Sequence, residues 1–331
     1  MSEINTYITR GKYNESIHQA KCLIKNYKNE IIFSTENDLD VIFPRSSIKI
    51  FQAIPFVYSN ANRHFALSNK QIALSCASHS AEKIHIKELS QWLKKINISL
   101  SYLKCGIHNP INFNASNKLL LSGNKPNQLH NNCAGKHLGM ISGCLANKYK
   151  IKNYLELDHP YQIHIRKILE DFTENKILKE NFGIDGCSAP QYAFTLNNLT
   201  LALVNLIKSY KNNFNFNKEI KTLINSVLKN PLMIGGNNRF DTELIKICGS
   251  DLFCKGGAEG VFLFAHLKKK IVGAVKIKDG NERAIPSTVC SIFKKLKILD
   301  NTKNLRLKKW KNAKLTNHAK KITGEIYTII K

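Results

Sequence analysis

Apolar and polar residues follow two rhythms along this chain of 331 residues. Near the ends the rhythm is that of strands. Ile17–Lys25 and Glu30–Ser34 flank Asn26-Tyr27-Lys28-Asn29, which predicts a hairpin loop. Further on, Gly260–Leu267 meets Ile271–Ile277 across Lys268-Lys269-Lys270, a second hairpin whose exit Asp279-Gly280 marks. A helix is expected to follow over Pro286–Leu296. In the middle, apolar residues recur at helical spacing over Ser46–Tyr58, Ile86–Ile96, Lys136–Asn147, Tyr161–Phe172, Leu196–Tyr210 and Lys218–Leu228. Strand-rich ends around a helical middle predict an α/β fold, with an antiparallel sheet formed from both chain ends and helices packed against it. No internal repeat, low-complexity segment or linker interrupts the pattern. The expectation is one compact domain over 1–331, mainly helical over about 44–230.

Composition narrows the class. A hydrophobic content of 43% is ordinary for a globular protein. No apolar run reaches bilayer length, and the first residues lack the apolar core of a signal peptide, so a cytoplasmic, non-membrane protein is expected. Nine cysteines form an odd set without framework spacing, which suits thiols or metal ligands in a reducing compartment. The net charge of +26, from 50 Lys and Arg against 24 Asp and Glu, invites a nucleic-acid reading. The lysines are spread from end to end, however, alongside an excess of Asn and Ile. They read as solvated surface, and no aromatic-basic motif supports a nucleic-acid partner.

Several short words concentrate chemistry. Asn131-Asn132-Cys133-Ala134-Gly135-Lys136-His137-Leu138-Gly139 packs a thiol, an amine and an imidazole into two helical turns. Cys133 and Lys136 share a face if Lys136 opens a helix. Asp185-Gly186-Cys187 sets a second thiol beside a glycine. Two such sulfurs suggest a built site, although most free cysteines are small buried hydrophobes. Ser46 and Lys49 form a Ser-x-x-Lys in Pro44-Arg45-Ser46-Ser47-Ile48-Lys49. On a helix this sets hydroxyl and amine on one face, where a neutral lysine can take the serine proton. The chain holds six such spacings, so the word alone is weak. Ser75-Cys76-Ala77-Ser78-His79-Ser80-Ala81-Glu82 delivers three serines and a histidine after an apolar run; Ser80 is also a candidate N-cap for a helix beginning near Glu82. Lys255-Gly256-Gly257-Ala258-Glu259-Gly260 precedes a strand and reads as a tight turn or a close approach. The order Ser-x-x-Lys, serine cluster, Lys-Gly-Gly is that of serine β-lactamases and penicillin-binding proteins.

With Asp158-His159-Pro160, Pro190 and Lys278-Asp279-Gly280 added, the words together resemble the asparaginase II family, the Rhizobium-etli-type L-asparaginases, over nearly the whole chain. The resemblance implies a serine β-lactamase-like fold, hydrolysis of L-asparagine to L-aspartate and ammonia, and a homodimer. It implies two Ser–Lys pairs, Ser46 with Lys49 and Ser78 with Lys255, and a zinc site at Cys133, Lys136 and Cys187. Arg45, Asn132, His137 and Asp185 become candidates for holding the substrate, and backbone N–H groups near Ser46 and Ser78 for holding the oxyanion. The zinc is expected to organise the pocket, since two thiolates blunt its Lewis acidity. Ala134 and Ala81 depart from the family pattern without removing a reactive group. A related Ser–Lys amidohydrolase acting on glutamine, a β-aspartyl compound or a β-lactam is the alternative.

Overall fold

The computed structural model describes residues 2–35 and 40–331. The strands among these residues are β1 (Ile4–Arg10), β2 (Tyr13–Asn26), β3 (Ile31–Ser34), β4 (Phe182–Ile184), β5 (Pro190–Tyr192), β6 (Leu252–Gly257), β7 (Val261–His266), β8 (Ile271–Ile277), β9 (Ala313–Thr316) and β10 (Ile322–Ile330). The chain forms two compact units. One takes Met1–Ser47, Phe194–Ile207 and Ile247–Lys331; the other takes Ile48–Ala193 and Lys208–Lys246.

The first unit holds the large sheet, antiparallel throughout and ordered β6-β7-β8-β2-β1-β10-β9. The long β2 pairs with β8 along one edge. Along the other it pairs first with β1 and then with β3. Both expected hairpins are present, as β2–β3 and β7–β8. The joining of the two ends is more intimate than the pattern predicts. β1 pairs with β10 from Ile4↔Ile330 to Ile8↔Ile326, so the first and last strands are neighbours. Every residue of β7 is buried, as its unbroken apolar run requires of a strand covered on both faces. The helix Ile285–Lys295 packs on β1 and β10, and Phe293 meets Phe264 edge-on at 4.8 Å between centroids. Where helix meets sheet, Thr6 Oγ1 bonds Thr288 Oγ1 at 2.8 Å and Thr328 Oγ1 at 2.7 Å, so these hydroxyls partner one another.

Two local readings change. Lys255-Gly256-Gly257 is not a turn: it is the second half of β6, paired residue by residue with β7, and only Ala258–Gly260 turns. The run Ser46–Tyr58 is not one helix. It breaks into a 3₁₀ turn, Arg45–Ile48, and the short helices Lys49–Gln52 and Ile54–Tyr58. Pro55 lacks the N–H that would continue the ladder, which accounts for the break at Ala53.

The second unit is helical, with the small hairpin β4–β5. Its centre is the helix Ala134–Ala146, buried from Ala134 to Cys144. Gly135, Gly139 and Gly143 line one face of it at i, i+4 and i+8. A Cβ at Gly135 would lie 2.1 Å from the Leu74 carbonyl oxygen. The absence of that atom lets the helix press against the end of helix Asn69–Leu74, immediately before Ser75–Ser80. At the outer end, a Cβ at Gly143 would meet the Tyr161 ring at 2.4 Å. The helices expected over 86–96, 136–147, 161–172, 196–210 and 218–228 are found as Lys83–Lys95, Ala134–Ala146, Pro160–Thr173, Leu196–Tyr210 and Asn217–Lys229. Ser80 is not the cap of the first of these. Glu82 takes that place, and Ser80 Oγ instead donates to Glu82 Oε1 at 2.9 Å.

All nine cysteines are buried and none forms a disulfide. No helix among the described residues is long and apolar enough to cross a membrane.

Candidate active site and metal centre

The site residues fall in both units. In the first, Arg45 and Ser46 sit in the 3₁₀ turn, half-buried, so the Ser46 hydroxyl remains within reach of a small molecule. Ser47 points elsewhere, its Oγ donating to the Pro44 carbonyl at 2.6 Å. Lys255, 1% exposed, comes from β6, and its Nζ donates to the Gly256 carbonyl at 2.8 Å. The end of that strand runs against the serine turn. A Cβ at Gly257 would stand 2.4 Å from Pro44 O and 3.3 Å from Ser46 N. Only glycine admits this approach, which is the functional reason for the Lys-Gly-Gly word.

In the second unit Lys49 is wholly buried. Its Nζ donates to the Ala77 carbonyl at 2.5 Å and to Ser78 Oγ at 3.0 Å. The amine of the Ser-x-x-Lys is thus bound to the serine of the later cluster, a contact that spacing alone does not reveal. The Ser78 N–H donates to Ile234 O at 2.8 Å and the His79 N–H to Asn132 O at 3.3 Å. Both amides are therefore engaged, and the expected oxyanion donor at Ser78 is not available.

The histidines carry a further signal. His79 Nδ1 accepts from the Ala81 N–H at 3.2 Å, which leaves the proton on Nε2; that buried nitrogen has no partner among the described residues. Burial drives its pKa well down, with the nearby His85 and Lys49 adding to the effect, so the ring is neutral. His137 is alike. Its Nδ1 meets Tyr154 Oη at 2.6 Å, while Nε2 is buried without a partner among the described residues, and burial, reinforced by the Lys136 charge, takes its pKa down to about 3. Two buried ring nitrogens without partners among the described residues suit a polar guest. His79 lay inside the serine word without being singled out by it.

Cys133, Lys136, Asp185 and Cys187 come together. Cys133 is the N-cap of the Ala134–Ala146 helix, and its N–H is held by Asn131 Oδ1 at 2.9 Å. Lys136 lies in the first turn and its Nζ reaches Cys187 Sγ at 2.9 Å and Asp185 Oδ2 at 3.6 Å. Ligand atoms of Cys133, Asp185 and Cys187 lie within 4.8 Å of one another, all buried. Asp185 and Cys187 are presented by the turn between β4 and β5, where Ser188 takes a left-handed φ of +66°. Asn132, half-buried, donates its N–H to His108 Nε2 at 2.9 Å.

Electrostatics marks this cluster as prepared. A hydrogen bond from the Cys133 thiol, helped by the Lys136 ammonium, takes the Cys187 thiol down to about 5 against the pull of burial. The same bond and burial push Cys133 up to about 12. For Lys136 burial acts to lower the pKa, but the charges of Cys187, Cys133 and Asp185 together outweigh it and raise the value. Two thiols and a carboxylate within 4.8 Å of one another, with the Lys136 amine against Cys187, fit a soft, four-coordinate metal such as zinc.

Left-handed non-glycine residues recur beside these words: Arg45 before Ser46, Ala81 after the serine cluster, Ser188 after Cys187 and Glu259 after Lys-Gly-Gly.

The L-asparaginase II family model matches residues 6–328. No curated protein matches the chain. Among solved structures, the chain is similar to a "putative beta-lactamase from Bacteroides dorei DSM 17855", at 10% identity over 83% of this chain and 93% of that one. The TM-score is 0.38, too loose a likeness to carry an argument. The family match spans nearly the whole sequence, and with it the chain belongs to the L-asparaginase II family of amidohydrolases.

Proposed function

We propose that the protein hydrolyses L-asparagine to L-aspartate and ammonia through serine and lysine side chains. The observation that carries the mechanism is the buried Lys49, bonded to Ser78 Oγ at 3.0 Å. Ser46 Oγ attacks the side-chain amide carbon, and Lys49 in its amine form takes the hydroxyl proton. The Lys49–Ser78 bond offers that proton a path to the leaving nitrogen. The C–N bond breaks, ammonia departs, and a β-aspartyl ester remains on Ser46. Water then cleaves the ester, with the same relay run in reverse, and Lys255 is assigned the relay's second amine. Arg45 is assigned the substrate carboxylate and Asp185 the substrate ammonium. Asn132 and the His137 Nε2 complete the polar contacts.

Cys133, Lys136 and Cys187 would hold zinc, with Asp185 beside them. The metal would supply a fixed positive charge that orders the pocket. Without it, Lys136 and Cys187 hold each other as an ammonium–thiolate pair at 2.9 Å, and binding must displace the lysine proton. Zinc affinity is therefore expected to rise with pH, about tenfold per unit for each proton released. Competition against a chromophoric chelator between pH 6 and 8 checks this. A flat profile would remove Lys136 from the ligand set.

The substrate is tested by ammonia release from asparagine and glutamine in parallel. Release from asparagine is expected to exceed that from glutamine by at least about tenfold in kcat/KM, since one methylene misplaces the amide relative to a fixed nucleophile. Preference for glutamine would shift the reading to the alternative substrate, and no release from either would end it.

A further inference from the structure

A second cavity in the helical unit lies apart from every residue assigned above. It has a volume of about 330 Å³, within the range of small-molecule sites. Its apolar wall is Ile84, from the helix Lys83–Lys95, with Pro231, Leu232 and Met233 from a 3₁₀ turn. Lys70, Lys87, Lys229 and Lys246 line it against the single carboxylate of Glu88. Lys70 stands 3.8 Å from Glu88, and Lys246 is 3.0 Å from Glu243. Among the described residues, Lys87 and Lys229 have no acidic partner. A more open cavity of about 470 Å³ shares Lys70, Glu88 and Lys229 and adds Lys95.

We propose that this cavity binds a small organic anion with an apolar body, and that occupancy acts on Ser78 through the main chain forming its wall. Charge complementarity selects the occupant. A bare inorganic anion would use the lysines and leave the apolar slot wet. A neutral apolar molecule would fill the slot and gain nothing from the positive charge of the exposed Lys87 and Lys229. A molecule carrying both features uses both.

The coupling is built into the backbone. Leu232 O accepts from His85 Nε2 at 2.9 Å; the His85 Nδ1 is engaged by the Glu82 N–H, so Nε2 carries the proton. His85 stacks on His79 at 5.3 Å, and His79 follows Ser78. Two residues beyond Leu232, Ile234 O holds the Ser78 N–H. Movement of residues 231–234 by an occupant therefore reaches Ser78 along two short routes. The binding half stands without the function proposed above; the coupling half rests on it.

The probe is 1-anilinonaphthalene-8-sulfonate, an aryl sulfonate with the required chemistry, titrated into the full chain. One saturable site is expected. Lys87→Glu with Lys229→Glu should weaken it at least about tenfold, the equivalent of about 1.4 kcal/mol. The pair Lys308→Glu and Lys309→Glu, exposed in the other unit and equal in charge change, should leave it within about twofold. Equal losses in both pairs would reduce the binding to diffuse attraction by a basic protein and overturn the proposal. Lys87→Gln, a milder change, gives a second reading if the reversed pair folds poorly, and unaltered affinity there also counts against the site. Saturating probe should change kcat for asparagine in the parent and not in the Lys87, Lys229 pair. An unchanged parent kcat would overturn the coupling. Probe binding by a protein inactive on asparagine would uphold the site while removing the proposed function.

Discussion

Replacing Ser46 with alanine is expected to lower kcat for asparagine by at least about 10⁴, with the fold intact. The hydroxyl is half-buried in a 3₁₀ turn and has the only role in the mechanism that forms a bond to carbon. Water cannot substitute well, because the catalytic advantage of a fixed nucleophile lies in its positioning. Stability should change little, since a half-exposed serine without a buried bond contributes little to folding. Ser78→Ala should cost less, about 10²–10³, because it removes a proton route rather than the attacking atom. The comparison is made on ammonia release under saturating asparagine, with thermal melts as the control. Should the Ser78 variant be the dead one and the Ser46 variant keep a tenth of its rate, the roles of the two serines would have to be exchanged.

Lys49→Met is expected to be nearly as damaging, by about 10³ in kcat. Methionine keeps the length and volume of the buried chain and removes the amine. The Ala77 carbonyl then loses its donor, which costs about 1–3 kcal/mol of stability for a buried acceptor left unpaired. The instructive partner is Lys49→Arg. If Lys49 served only as a positive charge, arginine would rescue most of the activity. A proton carrier must be able to lose its proton, and guanidinium does not do so in proteins. The arginine variant is therefore expected to stay inactive while recovering part of the lost stability. Activity within tenfold of the parent in either variant would contradict the relay.

Much of this architecture is legible in the chain because local rhythm and tertiary structure agree. The helix Leu196–Tyr210 has the bounds that its apolar spacing predicts, and the β7–β8 hairpin follows from two apolar runs around a lysine triplet. The helices Phe113–Leu121 and Phe240–Cys248 do not stand out in the apolar pattern. The former buries none of its residues and so carries no core-facing stripe to detect. β1 and β10 also escaped, for a different reason. They pair with each other across more than three hundred residues, a contact that no local rhythm encodes. Glycine misleads at β6, where two adjacent glycines suggest a turn although β7 holds them extended; the second of them, Gly257, admits the approach to Pro44 and Ser46.

The site divides in the same way. The cysteine and lysine word and the Asp185–Cys187 word could be paired through family likeness, and the structure brings them within bonding range. The Lys49–Ser78 bond, the partnerless Nε2 atoms of His79 and His137, and the engaged Ser78 N–H depend on packing between segments, which no spacing rule encodes.

Because every thiol is sequestered, alkylation becomes a gauge of opening. Maleimide can reach these sulfurs only when the surrounding structure parts, so the order in which mass adducts accumulate ranks the local breathing of each region. Cys187, the most acidic of the thiols, should label early in metal-stripped protein, whereas Cys22 and Cys290, deep and with strongly raised pKa, should wait for global unfolding.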